Sequence, residues 1–263
     1  MPSRISRGAG RLADRVSEEI ALRVSDRLVG RGVRVVSPAP WFSAGDGERE
    51  RVDHHAMVVL LAALLAEGDT FIDVGAHEGH LLEHAVRIAP HGAHVAWEPL
   101  PHLAADLRTH FPSVEIRNAA LGDETGIADF LHIVDSPGQS GFRDRDFPET
   151  TARETIRVAV ERLDDALERG TAPVVIKVDV EGAELAVFRG GLETITRHRP
   201  CILFEHMIGG AEYYGTRSED VWDLLCEECQ LTIFDLDGAG PYSRDQFADA
   251  VGLRARWNWL ARP

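Results

Sequence analysis

From Thr70 onward, short apolar runs alternate with stretches of helical periodicity, and no other feature constrains the chain as tightly. Runs of three to five apolar residues separated by amphipathic segments are the pattern of βαβ units, because parallel strands need crossover connections. The runs place strands at 70–74, 93–97, 114–117, 174–178, 202–204, 231–235 and 253–257. Helices are expected between them at 79–88, 100–110, 163–168, 183–197 and 218–229. The expected fold class is therefore α/β, with a doubly wound, mostly parallel seven-stranded sheet. Residues 135–153, rich in Asp, Arg, Gly, Ser and Pro, break the alternation and read as one long loop, a common place for an active-site lid.

Ahead of the sheet, Leu12, Val16, Ile20, Val24 and Leu28 recur every fourth residue and lay one apolar stripe along a helix. Its arginines are balanced by Asp14, Glu18, Glu19 and Asp26, unlike a transit peptide or a basic membrane helix, so packing on the core or on a second subunit is expected. A homodimer through this helix is the corresponding partner expectation. A polar stretch at 46–50 leads into a second helix at 52–66. The division expected is a helical arm and cap at 1–66, followed by a ligand-binding domain at 67–263. The longest apolar run, Ala56 to Ala66, is too short to span a bilayer, and no continuous apolar signal segment is visible. Three cysteines, Cys201, Cys226 and Cys229, are too few for a disulfide scaffold and indicate a reducing compartment, hence the cytoplasm. The formal charge of −15 argues against a nucleic-acid partner, which would need clustered Lys and Arg.

The strand at 70–74 runs directly into Asp73-Val74-Gly75-Ala76-His77-Glu78-Gly79 at the mouth of a helix. Bare backbone at that point lets a ligand approach the carboxyl edge of the sheet, with Gly75 opening the approach and Gly79 letting the helix begin close to the ligand. No Lys followed by Ser or Thr comes after the second glycine, so this is not a phosphate loop. His77 stands where a dinucleotide fingerprint has its second glycine, which makes NAD the lesser candidate and an NAD-dependent oxidoreductase the alternative of another class. Glu98 closes the second strand about 20 residues later, where an acid accepts hydrogen bonds from ribose hydroxyls, and Pro99 ends that strand.

These pieces resemble the FkbM family of methyltransferases. The matching segments are Phe71 to Gly79, Glu98-Pro99, Asn118 to Gly122, Ser140-Gly141, Lys177 to Glu184, Gly190-Gly191 and Pro200 to Glu205, in the family's order, with Lys177 to Glu184 the most specific. One departure is His77, where the family usually has Asn. The resemblance implies a class I, Rossmann-like methyltransferase fold with an antiparallel strand at the sheet edge, here at 253–257, and S-adenosyl-L-methionine as cofactor. It implies that Asp73, Gly75, His77 and Gly79 surround the cofactor's amino-acid end, that Glu98 and Pro99 meet its ribose, that Asn118 and Ala119 hold the adenine, and that Asp179 lies beside the transferring methyl group.

Methyl transfer is an in-line displacement, so the protein must align two reactants and supply a base for a hydroxyl or protonated amine. His206, at a strand's carboxyl end, has a side chain suited to proton removal near neutrality, and Asp179 and Glu205 complete the catalytic candidates. A divalent metal on Asp179, Glu181 and Glu205 is allowed by their chemistry but not expected. Ser140 and Gly141 of the long loop are candidate substrate contacts. Trp41, Phe42, Phe142, Tyr213 and Tyr214 are candidate pocket aromatics. The function expected from the resemblance is O-methylation of a hydroxyl on a small natural product or sugar, as in secondary metabolism; methylation of a peptide or amino group is the alternative.

Overall fold

The computed structural model describes residues 46–254 and 256–263. The chain divides into two compact units, Met1–Leu64 and Leu65–Pro263. In the first, helix α1 spans Asp46–Leu64, so the polar stretch expected to precede the helix is its first turn. Arg49 pairs with Asp53 at 2.6 Å one turn later, which favours helix at this polar end. The arginine-bearing helix expected around Leu12 to Leu28, with Trp41 and Phe42, lies outside the described residues.

The second unit contains the sheet. Its strands are β1 (Thr70–Val74), β2 (Val95–Trp97), β3 (Glu115–Arg117), β4 (Ala120–Leu121), β5 (Gly126–Ile133), β6 (Arg153–Glu161), β7 (Pro173–Val178), β8 (Cys201–Glu205), β9 (Thr232–Asp235) and β10 (Asn258–Arg262). Seven of them form one sheet in the order β3-β2-β1-β7-β8-β10-β9. Every residue of β1 is buried, Asp73 included, as expected of a parallel strand covered on both faces. Helices α2 (His80–Ile88) and α3 (Pro101–His110) connect β1 to β2 and β2 to β3. The core between sheet and helices is built on Trp97, Phe188, Phe204, Phe247 and Trp259, all essentially inaccessible, with Phe188 and Phe204 edge to face at 5.6 Å.

The antiparallel strand is displaced from its expected place. Residues 253–254 are a turn, and β10 begins five residues later than expected, pairing antiparallel with both β8 and β9. The outermost strand is therefore β9. Leu253 is exposed, whereas Trp259 is fully buried.

The helix expected at 183–197 is two helices, α5 (Glu184–Gly190) and α6 (Leu192–His198), after the short α4 (Leu163–Ala166). A Cβ on Gly190 would come within 1.9 Å of the Gly122 carbonyl oxygen, so backbone packs against backbone at the break. Asp164 then accepts hydrogen bonds from the Glu193 and Thr194 amides at 3.0 and 2.8 Å, capping α6 from a distant segment. The helix expected at 218–229 divides into α7 (Ser218–Trp222) and a π-helical turn, Asp223–Glu228, before Cys229. The last helix, α8, is Arg244–Gly252.

A second sheet of order β4-β6-β5 was not expected. Strand β5 pairs antiparallel with β6 over its whole length, from Gly126↔Val160 to Ile133↔Arg153, and the segment at 134–152 joins them. Only Phe130, Ile133 and Val158 of these strands are buried, and Phe130 and Val158 pack with Leu100, Leu103 and Ala120. Strands this polar, joined by so long a connection, carry none of the short-turn signals of a hairpin.

Candidate active site

Chain order reverses between β1 and β7: β2 and β3 lie beyond β1 on one side, and β8 beyond β7 on the other. Segments leaving the two strands diverge, opening a crevice at their carboxyl ends where sheets of this kind take ligands. The pleat determines which side chains face it. Asp73 and Lys177 are register partners and therefore project from the same face; Asp179, two residues further, returns to that face.

Lys177 Nζ donates to the Gly75 carbonyl at 2.6 Å and lies 3.3 Å from Asp179 Oδ2 and 3.6 Å from Asp73 Oδ1. Burial opposes the charge on Lys177, but Asp179 and Asp73 outweigh it and hold its pKa above the ordinary value. Burial raises the pKa of Asp73, with Lys177 opposing. Asp73 Oδ1 is buried, and at 3.6 Å the ammonium lies outside hydrogen-bond reach, so that oxygen retains an unused acceptor. Gly75 has φ of +75°, and a Cβ there would meet the Asp179 carbonyl oxygen at 2.0 Å. Only glycine permits the exits of β1 and β7 to run this close.

The rest of the turn serves Glu98. His77 has φ of +50° and donates its backbone N–H to Glu98 Oε2 at 2.8 Å, while the Leu100 amide donates to Oε1 at 2.8 Å. Both carboxylate oxygens are thus oriented, each with a lone pair to spare. Burial raises the Glu98 pKa, and these two amides oppose the rise. Asn and His are both among the residues enriched in the left-handed region, which explains how His77 can stand where Asn is usual. Burial lowers the pKa of its imidazole, and Nε2 is buried without a hydrogen-bond partner.

Gly79 departs from its expected role. Its N–H bonds the Ala76 carbonyl at 2.7 Å, and a Cβ would strike Phe111 and Leu107 at 2.6 and 2.7 Å. It is glycine so that α2 can pack against the end of α3, and it offers the crevice no donor. Asn118 Nδ2 donates to the carbonyls of Glu98 and Pro99 at 2.9 and 3.0 Å, tying the end of β2 to that of β3 and leaving Oδ1 for a ligand. The Ala119 methyl belongs to the main core, so this residue can meet a ligand only through its backbone.

At the exits of β7 and β8, the register Val178↔Phe204 extended by one step sets Asp179 beside Glu205. Glu181 joins them from a turn position with φ of +60°, and the three carboxylates each offer an oxygen within 4.8 Å of the others. Glu184, buried, accepts from the Val180 and Gly182 amides at 3.2 and 3.0 Å and so supports that turn. Burial and Asp179 push Glu181 up to about 7 against the pull of Arg145, and burial pushes Glu184 up to about 7. Burial, followed by Asp179, Glu181 and Glu184, lifts Glu205 well above the usual carboxylate range, with Lys177 opposing.

Arg145 brings the long loop onto this cluster. Its guanidinium pairs with Glu181, bonds the Gln139 carbonyl at 2.9 Å and lies over the Phe147 ring. Tyr213 donates to Asp146 at 2.8 Å, and Tyr214 Oη accepts the Phe142 amide at 3.0 Å, so two aromatic candidates bind the segment 209–216 to the loop. Ser140 is buried and its Oγ accepts the Ile133 amide at 3.0 Å, while Gly141 bridges to Leu131 and lies beside Glu181 and Tyr214. Sequence reasoning missed Arg145, whose only signal was its place in an irregular loop. Lys177, which the sequence places among acids as their anchor rather than as a base, lies between Asp73 and Asp179, on the face that strand alternation shares with Asp179.

His206 is not where a base is needed. Its ring is 2% exposed, stacks on Phe247 at 5.7 Å and bonds Ser218 Oγ at 3.0 Å; neither partner belongs to the carboxylate group. Burial lowers its pKa to about 4. The backbone of His206 is also held, its N–H by the Trp257 carbonyl and its carbonyl by Trp259 Nε1. It anchors β10 and is not placed to act as the general base expected of it.

The sequence profile described as the Methyltransferase FkbM domain matches residues 73–230, more than half of the chain. None of the curated proteins matches. Among solved structures, a methyltransferase FkbM from Methylobacillus flagellatus KT is 17% identical with a TM-score of 0.46, over 75% of this chain and 44% of its own, so the chain spans less than half its length. A TehB-like SAM-dependent methyltransferase from Corynebacterium glutamicum is 12% identical with a TM-score of 0.41, over 94% of this chain and 97% of its own. A precorrin-6y C5,15-methyltransferase from Geobacter metallireducens is 13% identical with a TM-score of 0.38, over 68% and 72%.

Proposed function

Because the chain belongs to the FkbM methyltransferase family, we propose that it transfers the methyl group of S-adenosylmethionine to a hydroxyl of a small natural product or sugar. The observation that carries this reading is the buried Asp73 carboxylate at the β1–β7 crevice, with one oxygen lacking a hydrogen-bond donor. A buried anion with an open acceptor fits the ammonium of the cofactor's amino-acid end. Glu98, oriented by two amides with lone pairs to spare, fits a pair of ribose hydroxyls.

When bound, the cofactor supplies a methyl carbon activated by positive sulfur. The residues of the chain do the rest. Asp73 would hold the ammonium and Glu98 the ribose, and the unpartnered His77 Nε2 would be available to hydrogen-bond beside them. Glu205, whose raised pKa makes it a stronger base than an ordinary carboxylate, would take the proton of the acceptor hydroxyl. The loop that Arg145 ties to Glu181 would limit water at the acceptor end of the crevice.

A second reading, methylation of an amino group, draws on the cluster Asp179, Glu181 and Glu205, which would attract a cationic acceptor. Cytoplasmic location and a homodimer through the N-terminal helix belong to the same proposal. No helix among the described residues is long and apolar enough to cross a membrane. Calorimetric titration with S-adenosylmethionine and with NAD tests the cofactor. Binding of NAD alone sinks the proposal in favour of an oxidoreductase. Mass spectrometry of an extract incubated with the enzyme and methyl-labelled cofactor then separates O- from N-methylation.

A further inference from the structure

Of the 28 basic residues in the chain, one is lysine, Lys177, and every other is arginine. A composition that uses arginine at each other cationic position retains the ammonium at one point, where β1 and β7 meet. The geometry there explains the choice. One nitrogen donates to the Gly75 carbonyl at 2.6 Å and lies within 3.3 and 3.6 Å of Asp179 and Asp73, on a side chain 12% exposed. A compact ammonium can donate to the Gly75 carbonyl while keeping its charge within 3.6 Å of both carboxylates, whereas the planar guanidinium fork is wider and matches oxygens arranged side by side.

We infer that Lys177 is a positioning residue for the methyl donor: it fastens the Gly75 carbonyl, Asp73 and Asp179 into one frame, so that the two acids meet the donor in a fixed arrangement. Without it, two carboxylates from adjacent strands would face each other across a buried crevice, and the turn at Gly75 would lose its cross-strand tie. The role lies outside the chemical step, since Lys177 is committed to protein oxygens. It explains why an otherwise apolar buried strand, Pro173–Val178, carries a charge at its fifth position. The inference rests on the donor reading above.

Because the lysine is unique, lysine labelled with nitrogen-15 at Nζ should give a single ammonium resonance in the unaltered protein. It should be protected from rapid exchange and should move when S-adenosylhomocysteine is added. Wild-type binding with no movement of that resonance overturns the inference and leaves the donor reading standing; absence of wild-type binding overturns both.

Two variants supply the second arm. Lys177→Arg keeps the charge but not the geometry and should weaken donor affinity at least tenfold; affinity equal to wild type overturns the role. Lys177→Met leaves Asp73 facing Asp179, with Glu98 as the other carboxylate acting on it. Protonation of Asp73 then competes with donor binding, so affinity should recover as pH rises from the ordinary carboxylate range to above neutrality, more steeply than in wild type. A loss uniform across that range marks a purely structural lysine and overturns the inference.

Discussion

Replacing Gly75 with alanine separates two reasons for a glycine, and other glycines of the same chain provide the scale. Gly126 has open space around it and no positive φ, so Gly126→Ala in β5 should be neutral or slightly stabilising, by about 0.5 kcal/mol. Gly170 has φ of +100° and nothing within 4 Å of a built Cβ, so Gly170→Ala reports backbone strain alone, about 1–3 kcal/mol. Gly75 combines φ of +75° with a Cβ position 2.0 Å from the Asp179 carbonyl oxygen. That oxygen is backbone at the end of a buried strand, so relief requires the exits of β1 and β7 to separate by over an ångström, an overpacking cost of roughly 1–3 kcal/mol beyond the strain. The total, about 4 kcal/mol, corresponds to a fall in Tm of roughly 8–16 °C for a unit of this size. Differential scanning fluorimetry of the three variants, with urea denaturation to confirm the order, is the assay. The same separation pulls the Gly75 carbonyl from Lys177 and should weaken donor binding in whatever fraction remains folded. If Gly75→Ala is no less stable than Gly170→Ala, close approach of the strands is not what requires the glycine.

The remaining expectations concern charge. His206 has its pKa lowered to about 4 by burial, against about 6.5 unfolded, so its contribution is complete above pH 6.5 and is lost as pH falls towards 4, by up to about 3 kcal/mol. Denaturation at pH 7 and pH 4.5 should show His206→Gln losing less stability on acidification than wild type; an equal loss refutes the buried neutral imidazole. With Glu205 as proton acceptor, kcat/KM should rise with pH and then level off, and Glu205→Gln should remove that limb and lower turnover by about 100-fold. Unchanged turnover removes Glu205 from the mechanism. Arg145→Ala takes away the charge that opposes the upward shift of Glu181, so Glu181 should keep its proton to higher pH, the Glu205 limb that its charge helps to raise should move down, and KM should increase as the loop loosens. An unaltered pH profile in that variant shows that the arginine does not act on the cluster.

Local chemistry sufficed for whatever depends on a few neighbouring residues. The alternation from Thr70 implied a parallel sheet because crossovers impose it, and β1 falls where the apolar run lies. Asp73, Gly75, Glu98 and Asp179 were legible because residues at strand ends, in this fold class, must line the crevice. Contacts between distant segments were not legible. The break at Gly190 exists because the Gly122 backbone occupies the space of a Cβ, and Gly79 is glycine because of Leu107 and Phe111. His206 has the composition of a base, yet the docking of Phe247 and Ser218 makes it a buried anchor. Arg145 reaches Glu181 across 36 positions of sequence (181 − 145) only because β5 and β6 carry the loop over the crevice. Periodicity records which face of an element is buried. Which other element covers that face, and which charge it brings, is decided when the elements pack.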